Sequence, residues 1–167
     1  SMGEGLLVYY AAKLRQEGKS LEEVLAWLQE NVLRLCHWFT VDDLNHLKRG
    51  GRVSTATALV GTMLGIKPVL HVDDEGHLIP VSKVRGRKQS LDALVRRMEE
   101  TAQEPAGQMV FISHGDCEKD ALLVKDTLVN TFGCAPEKIF LSAVGPVIGS
   151  HSGPGTVALF FRGKNRG

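Results

Sequence analysis

The stretch that decides the fold class runs from residue 109 to residue 143 and reads MVFISHGDCEKDALLVKDTLVNTFGCAPEKIFLSA. Its apolar first residues, 109–112, predict a strand, and the apolar spacing of residues 118–132 predicts a helix that ends at Gly133. Further strands are predicted over 138–143 and 156–161. Strands and helices therefore alternate, which predicts an α/β (α+β-like) fold with helices packed on a mixed β-sheet.

The first half of the chain adds helices and a β-hairpin. Ser20 and Glu23 form a capping box before a helix whose apolar face is expected to pack. The turn residues 73–76, Asp-Asp-Glu-Gly, separate two apolar runs and predict the hairpin. The other predicted elements are a helix over 6–17, a strand over 35–41, a short helix capped by Asp42 and ended at Gly50, a helix from Ser54 or Thr55 to residue 64, hairpin strands over 66–72 and 78–84, and a helix capped by Ser90.

The composition narrows the class of protein. With 167 residues, 43% of them hydrophobic, the chain can build the core of one domain. Its net charge of +1 is not the large positive charge that is typical of a nucleic-acid-binding domain. The three cysteines, Cys36, Cys117 and Cys134, have no CxxC spacing and indicate free, mostly buried thiols in a reducing cytoplasm. No apolar run approaches the roughly 20 residues that a membrane span needs.

Residues 145–155, GPVIGSHSGPG, place His151 in a glycine-rich segment before a predicted strand. Glycines let backbone N–H groups approach an anion, and the histidine can donate another hydrogen bond. The alternative is a tight connection that contains a hydrogen-bonded histidine. A dinucleotide site is not indicated, because that motif opens a helix rather than a strand.

Two basic segments are further candidates. Residues 48–54, KRGGRVS, place Arg52 before a predicted helix start, which suits an anion, although a helix C-terminus with solvated cations has the same pattern. Residues 83–88, KVRGRK, lack interleaved aromatics, so docking to an acidic protein partner is favoured over RNA binding, with a merely solvated run as the alternative.

The remaining histidines carry weaker signals. In Ser113-His-Gly-Asp116, neighbours on one chain rarely form a catalytic triad, so Asp116 is interpreted as a helix cap and His114 as a packing residue. The other histidines, His37, His46, His71 and His77, show no metal-ligand spacing, and no metal or cofactor is assigned.

Six short segments together resemble the DegV family of bacterial fatty-acid-binding proteins. They occur in order along most of the chain, which makes the combination specific although each segment alone is weak. The segments are 39–44 (FTVDDL), 47–54 (LKRGGRVS), 66–70 (IKPVL), 83–88 (KVRGRK), 114–116 (HGD) and 145–155 (GPVIGSHSGPG).

The resemblance implies a non-enzymatic lipid carrier. Family members are two-domain α/β proteins that hold a long-chain fatty acid between their domains, and some present its carboxylate to a separate fatty acid kinase. By the same resemblance, His151 helps to hold the carboxylate, and the basic positions lie at the head-group mouth or on the kinase surface. The predicted ligand site comprises His151, Gly149, Ser150, Ser152, Gly153, Arg52 and Met63, with ordinary core packing as the alternative for Met63; the predicted docking residues are Arg85, Arg87 and Lys88.

One feature departs from the family pattern. Nothing in the chain matches the family's N-terminal domain, whose hydroxyls also bind the carboxylate, so the chain is expected to be a C-terminal portion with half of the lipid site. Residues 1–34 are assigned to a helical segment that follows the missing domain, and residues 35–167 to the α/β domain. A homodimer of the fragment is an open alternative for covering the surface that the missing domain would bury.

Two other functions stay open at this point. The glycine-rich segments and Arg52 allow a phosphate-ester or kinase-type enzyme domain. The local basic patches allow nucleic-acid binding, which would weaken steeply with salt.

Overall fold

A computed structural model of the chain describes residues 1–54 and 65–167. Its centre is a six-stranded mixed sheet with the strand order β3-β2-β1-β6-β4-β5. The predicted helix from Ser54 or Thr55 to residue 64, including Met63, lies outside the described residues apart from Ser54. The strands are β1 (Leu35–Thr40), β2 (Ile66–Val72), β3 (Leu78–Arg85), β4 (Val110–His114), β5 (Ile139–Ala143) and β6 (Val157–Arg162).

Antiparallel pairing joins all neighbouring strands except β4 and β5, which are parallel. The helix over Glu118–Phe132 connects this parallel pair, as a crossover of this kind requires. β2 and β3 form the predicted hairpin, with Pro80 on the edge strand and Pro68 near the start of β2.

The helices cover both faces of the sheet. Cys36 and Trp38 of β1 lie in a core formed with the helices Arg87–Thr101 and Glu118–Phe132, whereas Leu35 and Phe39 lie in a second core formed with the helices Met2–Gln16 and Leu44–Arg49. This alternation follows from the two-residue period of a strand. Within the described residues, the helices of four or more residues are α1 (Met2–Gln16), α2 (Leu21–Asn31), α3 (Leu44–Arg49), α4 (Arg87–Thr101), α5 (Glu118–Phe132) and α6 (Pro146–Ser152).

Local signals identified several elements correctly. Gly133 ends α5 at a φ of 67°, a left-handed conformation that glycine adopts without a steric penalty. Ser20 and Glu23 form the capping box at the start of α2. All three cysteines are free, and Cys36 and Cys134 are buried. The predicted α/β fold with a mixed sheet is confirmed.

Three predicted helix caps are wrong. The side chain of Asp43, not Asp42, caps α3 by accepting a hydrogen bond from the backbone N–H of Asn45 at 2.8 Å. The helix that Ser90 was predicted to cap begins at Arg87, because Gly86 turns the chain at a φ of 95° directly after β3 and occupies the cap position. Cys117 occupies the cap position of α5, and Asp116 precedes it with a φ of 53°.

The predicted packing of the apolar face of α2 is also wrong. Leu21 is 79% exposed and Leu25 is 52% exposed, and Asn31 is the only buried residue of this helix. Trp27 contacts Tyr10 of α1 with ring centroids 5.2 Å apart. An amphipathic pattern specifies which side chains share a face but not whether another element covers that face.

A search of the described helices finds none with the length and apolar character to cross a membrane.

Candidate ligand-binding site

A cavity of about 640 Å³ lies on the side of the sheet that α1 and α3 cover. It lies where β4 and β5 end and β6 begins, as the lining residues Ser113, Ala143 and Thr156 show. Its volume falls within the roughly 300–1,000 Å³ of small-molecule sites. The apolar lining comes from the strands, α3, α6 and the hairpin, and includes Phe39, Leu47, Val72, Leu78, Val147, Ile148, Ala158 and Phe160.

Polar side chains occupy part of the same lining. Of the predicted site residues that the structure describes, Arg52, His151 and Ser152 line the cavity, whereas Gly149, Ser150 and Gly153 do not. The other polar lining residues are Ser1, His37, His77, Ser113 and Thr156. An apolar cavity with a few convergent polar groups can hold an amphipathic small molecule.

The segment around His151 is a helix rather than the predicted loop. Pro146 occupies its first turn, where a missing N–H costs nothing, and Gly153 follows its last residue at a φ of 80°. The N–H groups of Gly149 and Gly153 donate to carbonyl oxygens of Gly145 and Gly149, so they are not free to bind an anion. The sequence predicted a loop here because glycine and serine, which are frequent in this segment, have low helix propensity.

The serine hydroxyls of α6 also bond within the helix. Ser150 Oγ donates to the carbonyl oxygen of Val147 at 2.8 Å, and Ser152 Oγ donates to that of Ile148 at 3.0 Å. Each hydroxyl can still accept a hydrogen bond. His151 is therefore the cavity-lining residue of this segment with the clearest capacity to donate to a ligand, since both serine hydroxyls already donate within the helix.

Helices α3 and α6 pack through two glycine–histidine contacts. The ring of His151 lies so close to Gly50 that a Cβ atom at Gly50 would overlap it, and the ring of His46 lies in the same way against Gly153. Arg52 Nη1 donates to the carbonyl oxygen of Gly50 at 2.9 Å. Gly50 thus positions both His151 and Arg52 at the cavity.

Asp42 connects several of the other segments. Its carboxylate lies 2.7 Å from Lys67 Nζ and 3.7 Å from Arg87 Nη1. A Cβ atom at Gly155 would overlap the same carboxylate, and the N–H of Gly155 donates to the carbonyl oxygen of Gly115 at 2.7 Å. The six segments that carry the family resemblance therefore meet at one end of the sheet.

The predicted docking residues have different environments. Arg85 is exposed at the end of β3, and Lys88 is exposed and lies 3.7 Å from Asp92. Arg87 is only 22% exposed, and its Nε donates to Asp120 Oδ2 at 2.8 Å. None of the three lines the cavity in the described part of the chain. Their role in docking stays a prediction.

His37 is a cavity residue that the sequence analysis considered only as a metal ligand. Its ring contacts Phe160 edge to face, with centroids 5.4 Å apart. Burial, and next the positive charge of Arg166, lowers the pKa of His37 to about 4. The ring is therefore neutral at pH 7. His37 lies directly opposite Phe160 in the pairing of β1 with β6, and the sequence alone did not show this pairing.

The described residues contain one group with the ligand types of a metal site. Donor atoms of Asp73, Glu75 and His77 lie within 4.8 Å of one another in the hairpin turn. His77 Nδ1 lies 3.3 Å from Asp73 Oδ2, and Glu75 and His77 are exposed. This side-chain contact accounts for the grouping without a metal, and the sequence-based assignment of no metal stays a prediction.

The fold and the cavity define a class of α/β proteins that enclose an apolar small-molecule site against one face of a mixed sheet. The chain belongs to the DegV family. The family model described as "Uncharacterised protein, DegV family" matches residues 1–164. The resemblance noted in the sequence is thereby confirmed.

Three relatives illustrate the relationship. A DegV domain-containing protein of Clostridium perfringens is 46% identical over 99% of this chain and 56% of its own length. A fatty-acid-binding DegV family protein from Thermus thermophilus is 32% identical with a TM-score of 0.81, covering 96% of this chain and 56% of its own. The Streptococcus pneumoniae Fatty Acid Kinase B3 protein, loaded with linoleic acid, shares the fold at a TM-score of 0.84 with 22% identity, covering 94% of this chain and 54% of its own.

The chain spans about 56% of the length of the Clostridium perfringens relative.

Proposed function

We propose that this chain binds the carboxylate of a long-chain fatty acid and holds its acyl tail in the cavity of about 640 Å³. The observation that carries the proposal is the placement of His151 and Arg52 together on Gly50 at the wall of an apolar cavity. The fatty-acid binding described for the Thermus thermophilus relative, at 32% identity, supports it.

The electrostatics of a fatty acid fit these residues. A buried carboxylate without partners costs several kcal/mol, so the head group needs charged or N–H donors. Arg52 keeps its positive charge and has four more N–H donors beside the one that bonds to Gly50. His151 can supply another donor through Nε2, because Nδ1 is the ring nitrogen that lies against Gly50.

Ser113 is a further donor that sequence reasoning did not assign to a ligand. It lies near the end of β4, is 3% exposed, and lines the cavity. Its hydroxyl can donate its proton to a carboxylate at the cavity wall. The sequence signal was its position at the carboxyl end of a strand in an α/β fold.

The finer function is that of a carrier. The chain presents the bound carboxylate to a partner fatty acid kinase, which performs the phosphoryl transfer, while Arg85 and Lys88 contribute to the docking surface. In this proposal a further domain, beyond the part of the relatives that this chain matches, completes the lipid site. This part of the proposal rests on the family resemblance and implies a cytoplasmic setting.

Displacement of a fluorescent fatty acid by palmitate tests the binding proposal. Arg52→Ala and His151→Ala should each weaken palmitate binding about 10-fold, because each removes a charge-assisted or buried hydrogen bond. Arg96→Ala removes an exposed arginine of α4 outside the cavity and should leave the affinity unchanged. Unchanged affinity in His151→Ala would remove this residue from the site, and absence of saturable binding would refute the proposal for this chain.

A further inference from the structure

A second, smaller cavity lies at the opposite end of the sheet. Residues directly before β4 and β5 and the last residue of β6 line it, whereas the larger cavity lies at the other ends of these strands. Its volume of about 260 Å³ is smaller than that of the ligand cavity. A site of this size suits a small ligand rather than an acyl chain.

The charged side chains of this cavity are unbalanced. Among the described residues, Lys13, Lys138 and Arg162 line it together with a single acid, Glu104, which gives a formal excess of two positive charges. Across residues 1–54 and 65–167, none of these four side chains has an ion-pair partner within 4.0 Å. In contrast, Arg87 and Lys67 pair with carboxylates.

The donors have unused hydrogen-bonding capacity. Arg162 lies with its guanidinium carbon 5.8 Å from the centre of the Tyr10 ring. Its Nε is shielded from solvent and has no hydrogen-bond partner among the described residues, so the donors that a ligand can reach are its Nη groups. Lys138 Nζ donates to the carbonyl oxygen of Gly107 at 3.0 Å and retains two further protons.

Tyr10 contributes a neutral donor. Its hydroxyl oxygen accepts from the N–H of Met109 at 3.4 Å, which leaves its own proton for a ligand. Burial raises the pKa of Tyr10, so the phenol keeps this proton at neutral pH.

The frame around Arg162 is fixed before any ligand binds. Gln108 is 5% exposed, its Oε1 accepts from the N–H of Arg162 at 2.5 Å, and its Nε2 donates to the carbonyl oxygen of Arg162 at 2.9 Å. The same Nε2 donates to the carbonyl oxygen of Gln103 at 2.6 Å. These bonds hold the backbone of Arg162 in place, which reduces the freedom that this residue loses when its side chain binds a ligand.

We propose that this cavity binds a phosphate group, either as free phosphate or as a small phosphomonoester. A dianion matches the excess of two positive charges, and its oxygens accept hydrogen bonds from donors that approach from different directions. The site is separate from the proposed fatty-acid site and does not depend on it.

Nuclear magnetic resonance titrations with inorganic phosphate and with methyl phosphate, at an ionic strength held constant with sodium chloride, test the proposal. Saturable shifts are expected at the backbone amides of Gly107, Gln108 and Arg162. Arg162→Gln and Lys138→Gln should each weaken binding at least about 10-fold. Arg96→Gln and Lys119→Gln, which remove exposed cations outside both cavities, should not change it.

The outcomes separate the sources of the phosphate. Binding of inorganic phosphate alone supports a free-phosphate site, and binding of methyl phosphate supports a phosphomonoester site. Shifts that do not saturate, or an equal loss of binding in the control variants, would overturn the proposal. Lys138→Gln should keep the palmitate affinity of the parent, so failure of one site is distinguishable from failure of the other, and this variant preserves the test should Arg162→Gln not fold.

Discussion

The ring of His151 packs directly on Gly50, where a β-carbon cannot be accommodated without moving the ring. Gly50 lies at the C-terminus of α3 with a φ of −77°, a conformation open to any residue, so steric overlap rather than backbone strain restricts this position. The two residues are 101 positions apart in sequence and are brought together by the packing of α3 on α6.

Gly50→Ala is therefore expected to displace His151 and to weaken palmitate binding about 10-fold, as His151→Ala does. Because both changes act on one side chain, the double variant should bind no more weakly than His151→Ala alone. Gly5→Ala, which meets only an ordinary contact with Phe111 at 3.7 Å, is the matched control. Additive losses in the double variant would show that Gly50 acts independently of His151.

Arg85 and Arg87 are expected to differ in their effect on stability although they are two residues apart. Arg87→Ala should lower the free energy of unfolding by about 1–3 kcal/mol, because it leaves Asp120 without its partner and removes one of the two cations beside Asp42. Arg85→Ala should change it by less than about 0.5 kcal/mol, since Arg85 is exposed. Urea unfolding measures both values, and equal effects would contradict the difference in environment.

The proposed docking role of Arg85 can be tested by measuring binding to a fatty acid kinase. Arg85→Glu reverses an exposed charge and should weaken binding to a bacterial fatty acid kinase about 10-fold, with a loss that diminishes at high salt. Arg96→Glu reverses another exposed charge on α4 and serves as control. Surface plasmon resonance at two salt concentrations measures the effect, and an equal response of the two variants would exclude a specific role for Arg85.

Local signals explain what could be predicted from the sequence. The apolar spacing and Gly133 defined α5 correctly, because both the helix and its end depend on neighbouring residues. The pairing of Arg87 with Asp42 and Asp120 depends on three segments meeting in space, so the sequence placed Arg87 with the exposed cations. The same reason explains why the sequence singled out His151 as a candidate but predicted neither its contact with Gly50 nor the cavity beside it.

Substitutions of Leu6 in α1 and Leu25 in α2 are expected to differ in their effect on the free energy of unfolding. Leu6 of α1 is fully buried, and Leu6→Ala should cost about 2–5 kcal/mol of unfolding free energy. Leu25 of α2 is 52% exposed, and Leu25→Gln should change it by less than about 0.5 kcal/mol. A large loss in Leu25→Gln would indicate that the apolar face of α2 is covered in solution, for example by a second copy of the chain, which size-exclusion chromatography would detect.

The buried His37 makes the stability of the fold sensitive to acid. Its pKa of about 4 lies below the ordinary value of 6.5, so between these values the unfolded chain binds a proton that the folded chain does not. Stability from this residue is therefore complete above about pH 6.5 and decreases as the pH falls towards 4, by about 3 kcal/mol in total. Urea unfolding at several pH values should show a smaller acid-induced loss in His37→Gln than in the parent. His77→Gln changes an exposed histidine of the hairpin turn and should keep the acid-induced loss of the parent, whereas the same loss in His37→Gln and in the parent would contradict the neutral state of His37 in the fold.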